Sequence, residues 1–150
     1  MEQQKIPNFM TLYAAWDKLP PGPKAELRRV GRPEELIEVP AFYRLYSGKA
    51  QYEWQKQAYQ RLIYCLPYIR HAEGDVSLGK ALASGRNVSE KRLFQVVRSE
   101  APNDMIQLRR ILQMCEPVAN WPKTANVLWF WNERSKRDLL EDYFVSKPKD

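Results

Sequence analysis

Apolar residues recur along the chain mostly at intervals of three and four, and strict alternation of apolar and polar residues is almost absent. The clearest case is residues 51–66, a predicted helix that Pro67 ends or kinks. One side of this helix carries Ala58, Tyr59, Leu62, Ile63 and Leu66. The pattern predicts an all-α fold, a compact bundle of several helices.

Capping residues and prolines mark further helices in the first half of the chain. Asn8 can cap a first helix that the segment "LPPGP" ends. Shorter helical pieces are predicted over residues 24–30 and 34–38, with Gly31 and Pro33 between them. Pro40 can open another helix at "AFYRLY", because proline is tolerated in a first turn.

The segment "HAEGDVS", residues 71–77, is the clearest internal loop. We interpret residues 1–150 as a single helical domain, with this loop as a candidate seam between two halves. A short helix at "SLGKALA" follows, then a turn at "SGRN" and two helices within residues 88–112. One long helix is predicted for the segment "NWPKTANVLWFWNERSKRDLLEDYF", with Pro122 in its first turn, and the tail "VSKPKD" is predicted to fray.

The composition is that of a soluble protein, with 44% hydrophobic and 28% charged residues. No apolar run is long enough to span a bilayer, and the N-terminus lacks the apolar segment of a signal peptide. Cys65 and Cys115 fall inside apolar helical patterns and form no CxxC pair, which indicates buried thiols in a reducing compartment. We therefore expect a cytoplasmic protein that does not contact membranes.

The residues that carry chemistry argue against an enzyme. His71 is the single histidine, and the break predicted at Pro67 leaves its orientation toward Cys65 arbitrary, so a structural cysteine and a surface histidine are expected. A structural zinc site usually needs four Cys or His ligands, and this chain has three. No phosphate-binding loop of the GxxxxGK[ST] or GxGxxG type is present. No catalytic residue, cofactor or metal is predicted.

The positive charge is concentrated in one stretch. The whole chain has a net charge of +6, and residues 80–110 alone hold seven basic and three acidic side chains, a net of +4. About a fifth of the chain thus carries two thirds of the net charge. A local excess of this kind is typical of proteins that bind polyanions.

The first helix of this stretch has an apolar side and a basic side. Ser89 can cap it, and Leu93, Phe94 and Val97 are predicted to face inward. Its outward stripe consists of Lys91, Gln95 and Arg98 at helical spacing, with Arg92 beside it.

The second helix repeats this arrangement. Asn103 can cap it, and Met105, Leu108, Leu112 and Cys115 form the predicted inward seam. Arg109, Arg110 and Gln113 are predicted on the opposite side. Acidic partners four residues away are mostly missing in both helices, so these cations stay available, and a guanidinium fork matches phosphate oxygens well. The sequence therefore predicts a basic surface that follows a nucleic-acid backbone without reading bases.

The C-terminal helix and the aromatic residues give weaker signals. Arg137 can pair with Glu133 and Glu141, so it is expected to be structural, whereas Arg134 and Lys136 remain candidate contacts. Core packing is predicted, rather than base stacking, for Trp16, Tyr59, Trp129 and Phe144, while Trp54 and Tyr46 stay open as stacking candidates.

With these residues in view, the chain resembles the CasB family, the small subunit of Cascade, the type I-E CRISPR surveillance complex. The resemblance runs through "ELRRVGRPEELIEVPAFYRL", "SLGKALASGRNVSEKRLFQVVRSE", "DMIQLRRIL" and "LLEDYF", in family order and over most of the chain. It implies an all-helical, non-catalytic subunit whose basic faces stabilise the R-loop between guide RNA and target DNA, mainly the displaced non-target strand. It also implies the subunits CasA, CasC, CasD and CasE as partners, and a second copy of this chain lying head to tail.

The basic positions of the family fall on residues of this chain. They are Arg29, Arg92, Arg110 and Arg134, with Lys91, Arg98 and Lys136 as neighbours. Some relatives are basic where this chain has Ala101 and Glu133, so the basic surface is expected to be thinner there.

Two other functions fit the same residues. A helix-turn-helix regulator would use "SLGKALA" as its first helix and "SEKRLFQVVR" as its recognition helix, although "SGRNVS" is longer than the usual turn. A protein-only adaptor would instead dock its basic faces on acidic partner surfaces.

Overall fold

The computed structural model describes residues 6–48, 50–85 and 88–147, and it confirms the all-α prediction. The helices of this part of the chain are α1 Phe9–Asp17, α2 Pro21–Arg29, α3 Pro40–Tyr46, α4 Glu53–Cys65, α5 Leu78–Ser84, α6 Glu90–Arg98, α7 Asn103–Cys115, α8 Trp121–Trp129 and α9 Glu133–Ser146. Two 3₁₀ segments, Pro33–Glu38 and Leu66–Tyr68, precede α3 and follow α4. Strands β1 (Arg70–His71) and β2 (Val118–Ala119) form one short parallel pair. None of the described helices is both long and apolar enough to cross a membrane.

Side-chain caps fix where most helices begin. Asn8, Ser77 and Ser89 each accept a hydrogen bond from the backbone N–H three residues ahead, as predicted for Asn8 and Ser89. The cap predicted at Asn103 is wrong, because Asn103 is already the first residue of α7. Pro102 takes the cap position, and its carbonyl accepts from the N–H of Ile106.

Helix α2 starts earlier than predicted. It includes Pro21 and Pro23 and ends at Arg29, rather than spanning residues 24–30. Proline lacks only an N–H that is unpaired in the first turn of a helix, so the segment that ends α1 can also open α2. Leu27 is the buried residue of this helix, which therefore lies on the surface.

The prediction of one long helix over residues 121–144 is wrong, because the chain breaks at residues 130–132. Asn132 starts α9 by accepting a hydrogen bond from the Ser135 N–H at 2.8 Å, and the Ser135 hydroxyl donates to the Phe130 carbonyl at 2.7 Å. The Arg61 guanidinium donates to the last carbonyls of α8, those of Leu128 and Trp129, at 2.7 and 2.8 Å. These bonds satisfy the backbone groups that the helix ends leave unpaired.

The buried core is built around α4. All five apolar positions predicted for this helix are buried. One cluster of buried apolar residues includes side chains from before and after residues 71–77. Across that segment the Trp121 indole donates to the Phe9 carbonyl at 2.8 Å.

Helix α5 packs directly on α9 through Gly79. A Cβ atom at this position would lie 2.6 Å from the Leu139 carbonyl oxygen, so the two backbones meet where no side chain fits. Helix α6, by contrast, packs mainly against α7 and also touches α9. Helix α6 therefore contacts both α7 and α9.

The thiols and the histidine have structural surroundings. Cys65 is buried, and its burial raises the pKa of the thiol to about 12, whereas Cys115 is half-buried with a pKa of about 11 for the same reason. The prediction of a surface histidine is wrong. The His71 side chain is only 12% exposed, and its Nδ1 accepts from the Trp121 N–H at 3.0 Å.

Candidate nucleic-acid interface

A groove between α6 and α7 brings together three of the predicted arginine and lysine contacts. Lys91 and Arg92 come from the first turn of α6, and Arg110 comes from the middle of α7. Among the described residues, this basic groove is lined by Ser89, Lys91, Arg92, Gln95, Gln107, Arg110 and Ile111. These residues provide three cations, two amides and a hydroxyl, and none of them is a carboxylate.

Local sequence explains why these side chains point into the groove. Ser89 caps α6, which fixes its first turn, and the buried Leu93 and Val96 hold the opposite face on the core. On α7 the buried Leu108 and Ile111 pack on the core in the same way, and Arg110 is left exposed. The packing of these buried side chains therefore determines which residues line the groove.

The cations of the basic groove have few partners in the protein. The Arg92 Nη1 donates to the Met114 sulfur at 3.1 Å, which is a weak acceptor and leaves the charge unneutralised. In the part of the chain that the structure describes, neither Lys91 nor Arg110 makes a salt bridge. This arrangement provides N–H donors and positive charge for an anion, and no described lining residue is acidic.

Arg98 continues the exposed stripe of α6 beyond the groove. Its guanidinium lies 5.0 Å from the centre of the Phe94 ring, and that ring is 5.7 Å from the ring of Phe144 on α9. The prediction that Phe144 is a core residue is wrong, since it is 39% exposed. The inward placement of Phe94 is right only in part, because its ring is half-buried.

Arg109 is not a surface residue, and the prediction that it lies on the outward side of α7 is wrong. It is 2% exposed, since it follows Met105 by four residues and precedes Leu112 by three, so it shares their buried side. Its Nη2 donates to the Arg28 carbonyl at 2.7 Å, and its guanidinium lies 4.2 Å from the Tyr64 ring centre. Arg109 thus holds the end of α2 and is not available to a phosphate.

Lys136 is also bound within the protein, contrary to its prediction as a phosphate contact. Its ammonium lies 2.9 Å from the Asp104 carboxylate, with side chains only 11% and 4% exposed, and it donates to the Ser99 carbonyl at 2.9 Å. Asp104 further accepts from the Trp131 indole at 2.9 Å. Lys136 falls between the buried Ser135 and Leu139, which draws it toward this carboxylate.

The remaining predicted contacts lie apart from the groove. Arg29 is exposed at the end of α2, beside a shallow depression that also exposes Glu26, Glu35 and Glu38. Arg134 is exposed on α9, and no described contact joins it to the groove. Arg137 pairs with Glu133 at 3.8 Å, as predicted for a structural residue.

Two features of this surface are not predicted from the sequence. Gln107 lines the groove three residues before Arg110, and helical spacing alone was a sufficient signal for it. The Phe94–Phe144 contact depends on the packing of α6 against α9, which no local pattern reveals. Of the two open stacking candidates, Tyr46 is buried and Trp54 is 41% exposed, with its ring against Trp129.

Within the described ranges, no three His, Cys, Asp or Glu side chains gather in a geometry that would hold a metal ion. Burial lowers the pKa of Arg61 to about 10, so its guanidinium remains charged at neutral pH while it bonds the end of α8. The chemistry that the exposed residues support is the binding of a polyanion.

Comparison with known proteins identifies the family. The family described as CRISPR-associated protein Cse2 matches residues 23–144. The chain is 40% identical to the Cascade subunit CasB of Escherichia coli strain K12, over 93% of this chain and 94% of that protein.

Two solved structures share its fold. One is a chain in the crystal structure of E. coli Cascade bound to a PAM-containing double-stranded DNA target, with a TM-score of 0.91 and 40% identity over 97% of this chain and all of that chain. The other is CasB from Thermus thermophilus, with a TM-score of 0.72 and 14% identity over 93% of this chain and 99% of that chain. The matched residues 23–144 include the whole basic groove, and the chain belongs to the CRISPR-associated protein Cse2 family.

Proposed function

We propose that this chain is the small, non-catalytic subunit of a Cascade complex. In that complex it binds nucleic acid through its phosphate backbone and stabilises the R-loop between guide RNA and target DNA, mainly the displaced non-target strand. The observation that carries the proposal is the basic groove, whose three cations come from two helices and whose described lining includes no carboxylate. Its family membership and the DNA-bound E. coli Cascade relative support the same function.

The physical role follows from the energetics of strand exchange. Forming an R-loop replaces a DNA duplex with an RNA–DNA duplex of similar stability, so modest contacts that ignore sequence can shift the balance. Lys91, Arg92 and Arg110 provide such contacts, because charged N–H donors bind phosphate oxygens whatever the base. Arg29, Arg98 and Arg134 are exposed, and they are the proposed flanking contacts.

The proposed partners follow from the resemblance and from the relatives. They are guide RNA, target DNA, the subunits CasA, CasC, CasD and CasE, and a second copy of this chain lying head to tail. Purification of the complex with this chain tagged checks them, since the other subunits and a guide RNA are expected to follow it.

The main test neutralises the groove in the assembled complex with the triple variant Lys91→Gln, Arg92→Gln and Arg110→Gln. Three lost phosphate contacts lower the slope of log affinity against log salt by about 2, at ~0.7 per contact on a single strand. The lifetime of the R-loop is expected to shorten as well. Both are measured by release of a fluorescent target strand at several salt concentrations.

A matched control removes the same charge elsewhere on the surface. Arg44, Arg70 and Lys123 are exposed, and none of them lines the groove. Their triple glutamine variant should keep the R-loop lifetime and the salt slope of the parent complex. An unchanged lifetime in the groove variant, with all subunits still copurifying, would rule out the proposed role.

Sequence preference separates this proposal from a helix-turn-helix regulator. A regulator binds its own duplex site more tightly than other DNA by several kcal/mol, whereas a groove that contacts only phosphates shows no preference. Competition between unrelated target sequences measures this difference directly.

A further inference from the structure

Two aromatic rings lie on the side of α6 that adjoins the basic groove. Phe94 projects from α6 toward α9, where its ring centre is 5.7 Å from that of Phe144 at an interplanar angle of 39°. Phe144 is 39% exposed and the following Val145 is 75% exposed, so this side of α9 is open to solvent. We call Phe94 and Phe144 the aromatic pair.

Cations flank the aromatic pair along α6. Lys91 precedes Phe94 by three residues and Arg98 follows it by four, so the two exposed cations lie next to the half-buried ring on one side of the helix. The Arg98 guanidinium lies over the Phe94 ring at 5.0 Å from its centre. A planar cation and two rings therefore adjoin the wall of the basic groove, which Lys91 also lines.

We propose that the aromatic pair is a stacking platform for the bases of a single nucleic-acid strand whose phosphates lie in the basic groove. This inference rests on the proposed function and specifies its ligand. Aromatic rings beside a positively charged groove hold single strands, because every unpaired base offers a flat face to stack on, whatever its identity. The same surface therefore retains the indifference to sequence expected of the groove.

The platform selects among the strands of an R-loop. In the guide–target duplex the bases are paired and stacked on one another, so their faces are not accessible to a protein ring. The displaced strand has unpaired bases. Phosphate contacts alone would bind the guide–target duplex and the displaced strand alike. Stacking on Phe94 and Phe144 would bind only the displaced strand.

The test measures binding of the full chain to three fluorescent probes of equal length. They are a single-stranded DNA, an abasic strand with the same phosphates and no bases, and an RNA–DNA hybrid duplex. The double variant Phe94→Leu and Phe144→Leu keeps apolar side chains and removes both ring faces. We expect it to bind the single strand roughly tenfold more weakly and to bind the abasic strand and the hybrid as the parent does.

Two further variants keep the result interpretable. Phe130→Leu makes the same replacement at an exposed ring outside the groove lining, and it should bind all three probes like the parent. Phe144→Leu alone changes the more exposed ring of the pair, so it tests the platform even if the double variant unfolds. Thermal melting checks that each variant is folded.

The possible results separate this inference from the proposed function. Equal losses on all three probes, or no loss on the single strand, would overturn the platform. Normal binding to every probe with loss of the other subunits during purification would also overturn it, and would make the pair a protein contact. If the Lys91→Gln, Arg92→Gln, Arg110→Gln variant binds every probe like the parent, the phosphate-binding role of the groove fails instead.

Discussion

Two adjacent arginines of α7 should respond in opposite ways to the same substitution. Arg109 is buried and bonded to the end of α2, whereas Arg110 is exposed in the basic groove. Replacing each in turn by alanine separates a structural cation from a binding cation with neighbouring residues of identical type. The comparison needs no assumption about the rest of the complex.

The magnitude for Arg109 follows from its contacts. Its 2.7 Å hydrogen bond from Nη2 to the Arg28 carbonyl is worth about 1.5–3 kcal/mol, and its desolvated contact with the Tyr64 ring is worth about 2 kcal/mol. Its Nε and Nη1 have no hydrogen-bond partner in the described structure, so its burial is costly, and removing the charge offsets part of the loss. We expect Arg109→Ala to lower the free energy of unfolding by about 2 kcal/mol.

Arg110→Ala is the matched comparison. Exposed substitutions away from such contacts usually change the free energy of unfolding by less than about 0.5 kcal/mol. The melting temperature should therefore fall by about 4–8 °C for Arg109→Ala and remain nearly constant for Arg110→Ala. Binding should show the reverse, because Arg110→Ala lowers the salt slope on a single strand by about 0.7 and folded Arg109→Ala does not.

Urea unfolding followed by circular dichroism, and anisotropy titrations below the melting temperature, measure the two effects. Arg109→Ala with parental stability would refute the buried role, and equal destabilisation by both variants would refute the distinction between them. A lower salt slope in folded Arg109→Ala would show that this guanidinium reaches the ligand after all.

Three further predictions follow from the packing and the burial. Asp104→Leu leaves the Lys136 ammonium buried without its carboxylate, so it should lower the free energy of unfolding by about 3–5 kcal/mol. Urea unfolding measures this loss, and a urea midpoint equal to that of the parent would contradict the prediction. Gly79→Ala puts a Cβ 2.6 Å from the backbone of α9 and should cost about 1–3 kcal/mol, whereas the same change at exposed Gly22 meets no atom within 4 Å. The unfolded chain loses its thiol protons near pH 9, but folded Cys65 keeps its own up to a pKa of about 12, so stability should hold below about pH 9 and fall above it. A Cys65→Ala variant should make that fall shallower in urea midpoints measured between about pH 8 and pH 10, and Cys115, whose pKa is also raised by burial, accounts for part of the fall that remains.

The helices and the core of this protein were largely accessible to sequence reasoning, because its signals are local. The five apolar positions that the spacing predicts over residues 51–66 are all buried, and the caps at Asn8 and Ser89 mark two helix starts. The break after α8 was missed for a different reason. Arg61, which bonds the Leu128 and Trp129 carbonyls, comes from a helix more than sixty residues earlier, and no local pattern contains that contact.

The residues of the site likewise divide into those that local spacing predicts and those that depend on contacts between elements. Lys91, Arg92 and Arg110 lie on the exposed surface that helical spacing indicates, and the structure places them around one groove. Arg109 is predicted on the outward side of α7 from its position opposite the apolar seam, and Lys136 is predicted as a contact from its place on the C-terminal helix and from the family resemblance. Their burial depends on acceptors supplied by other elements, the Arg28 carbonyl and the Asp104 carboxylate, which composition and charge counts do not show.

The break at residues 130–132 has a consequence for how this surface can vary. Successive residues of an α-helix are about 100° apart, so the direction of each α9 side chain depends on its residue count from the Asn132 cap. A single insertion or deletion between that cap and Phe144 would swing the ring around the helix axis and away from Phe94. A change of length in the three-residue joint itself would leave this count intact. We infer that the segment from 132 to 144 must keep its length for Phe144 to reach Phe94.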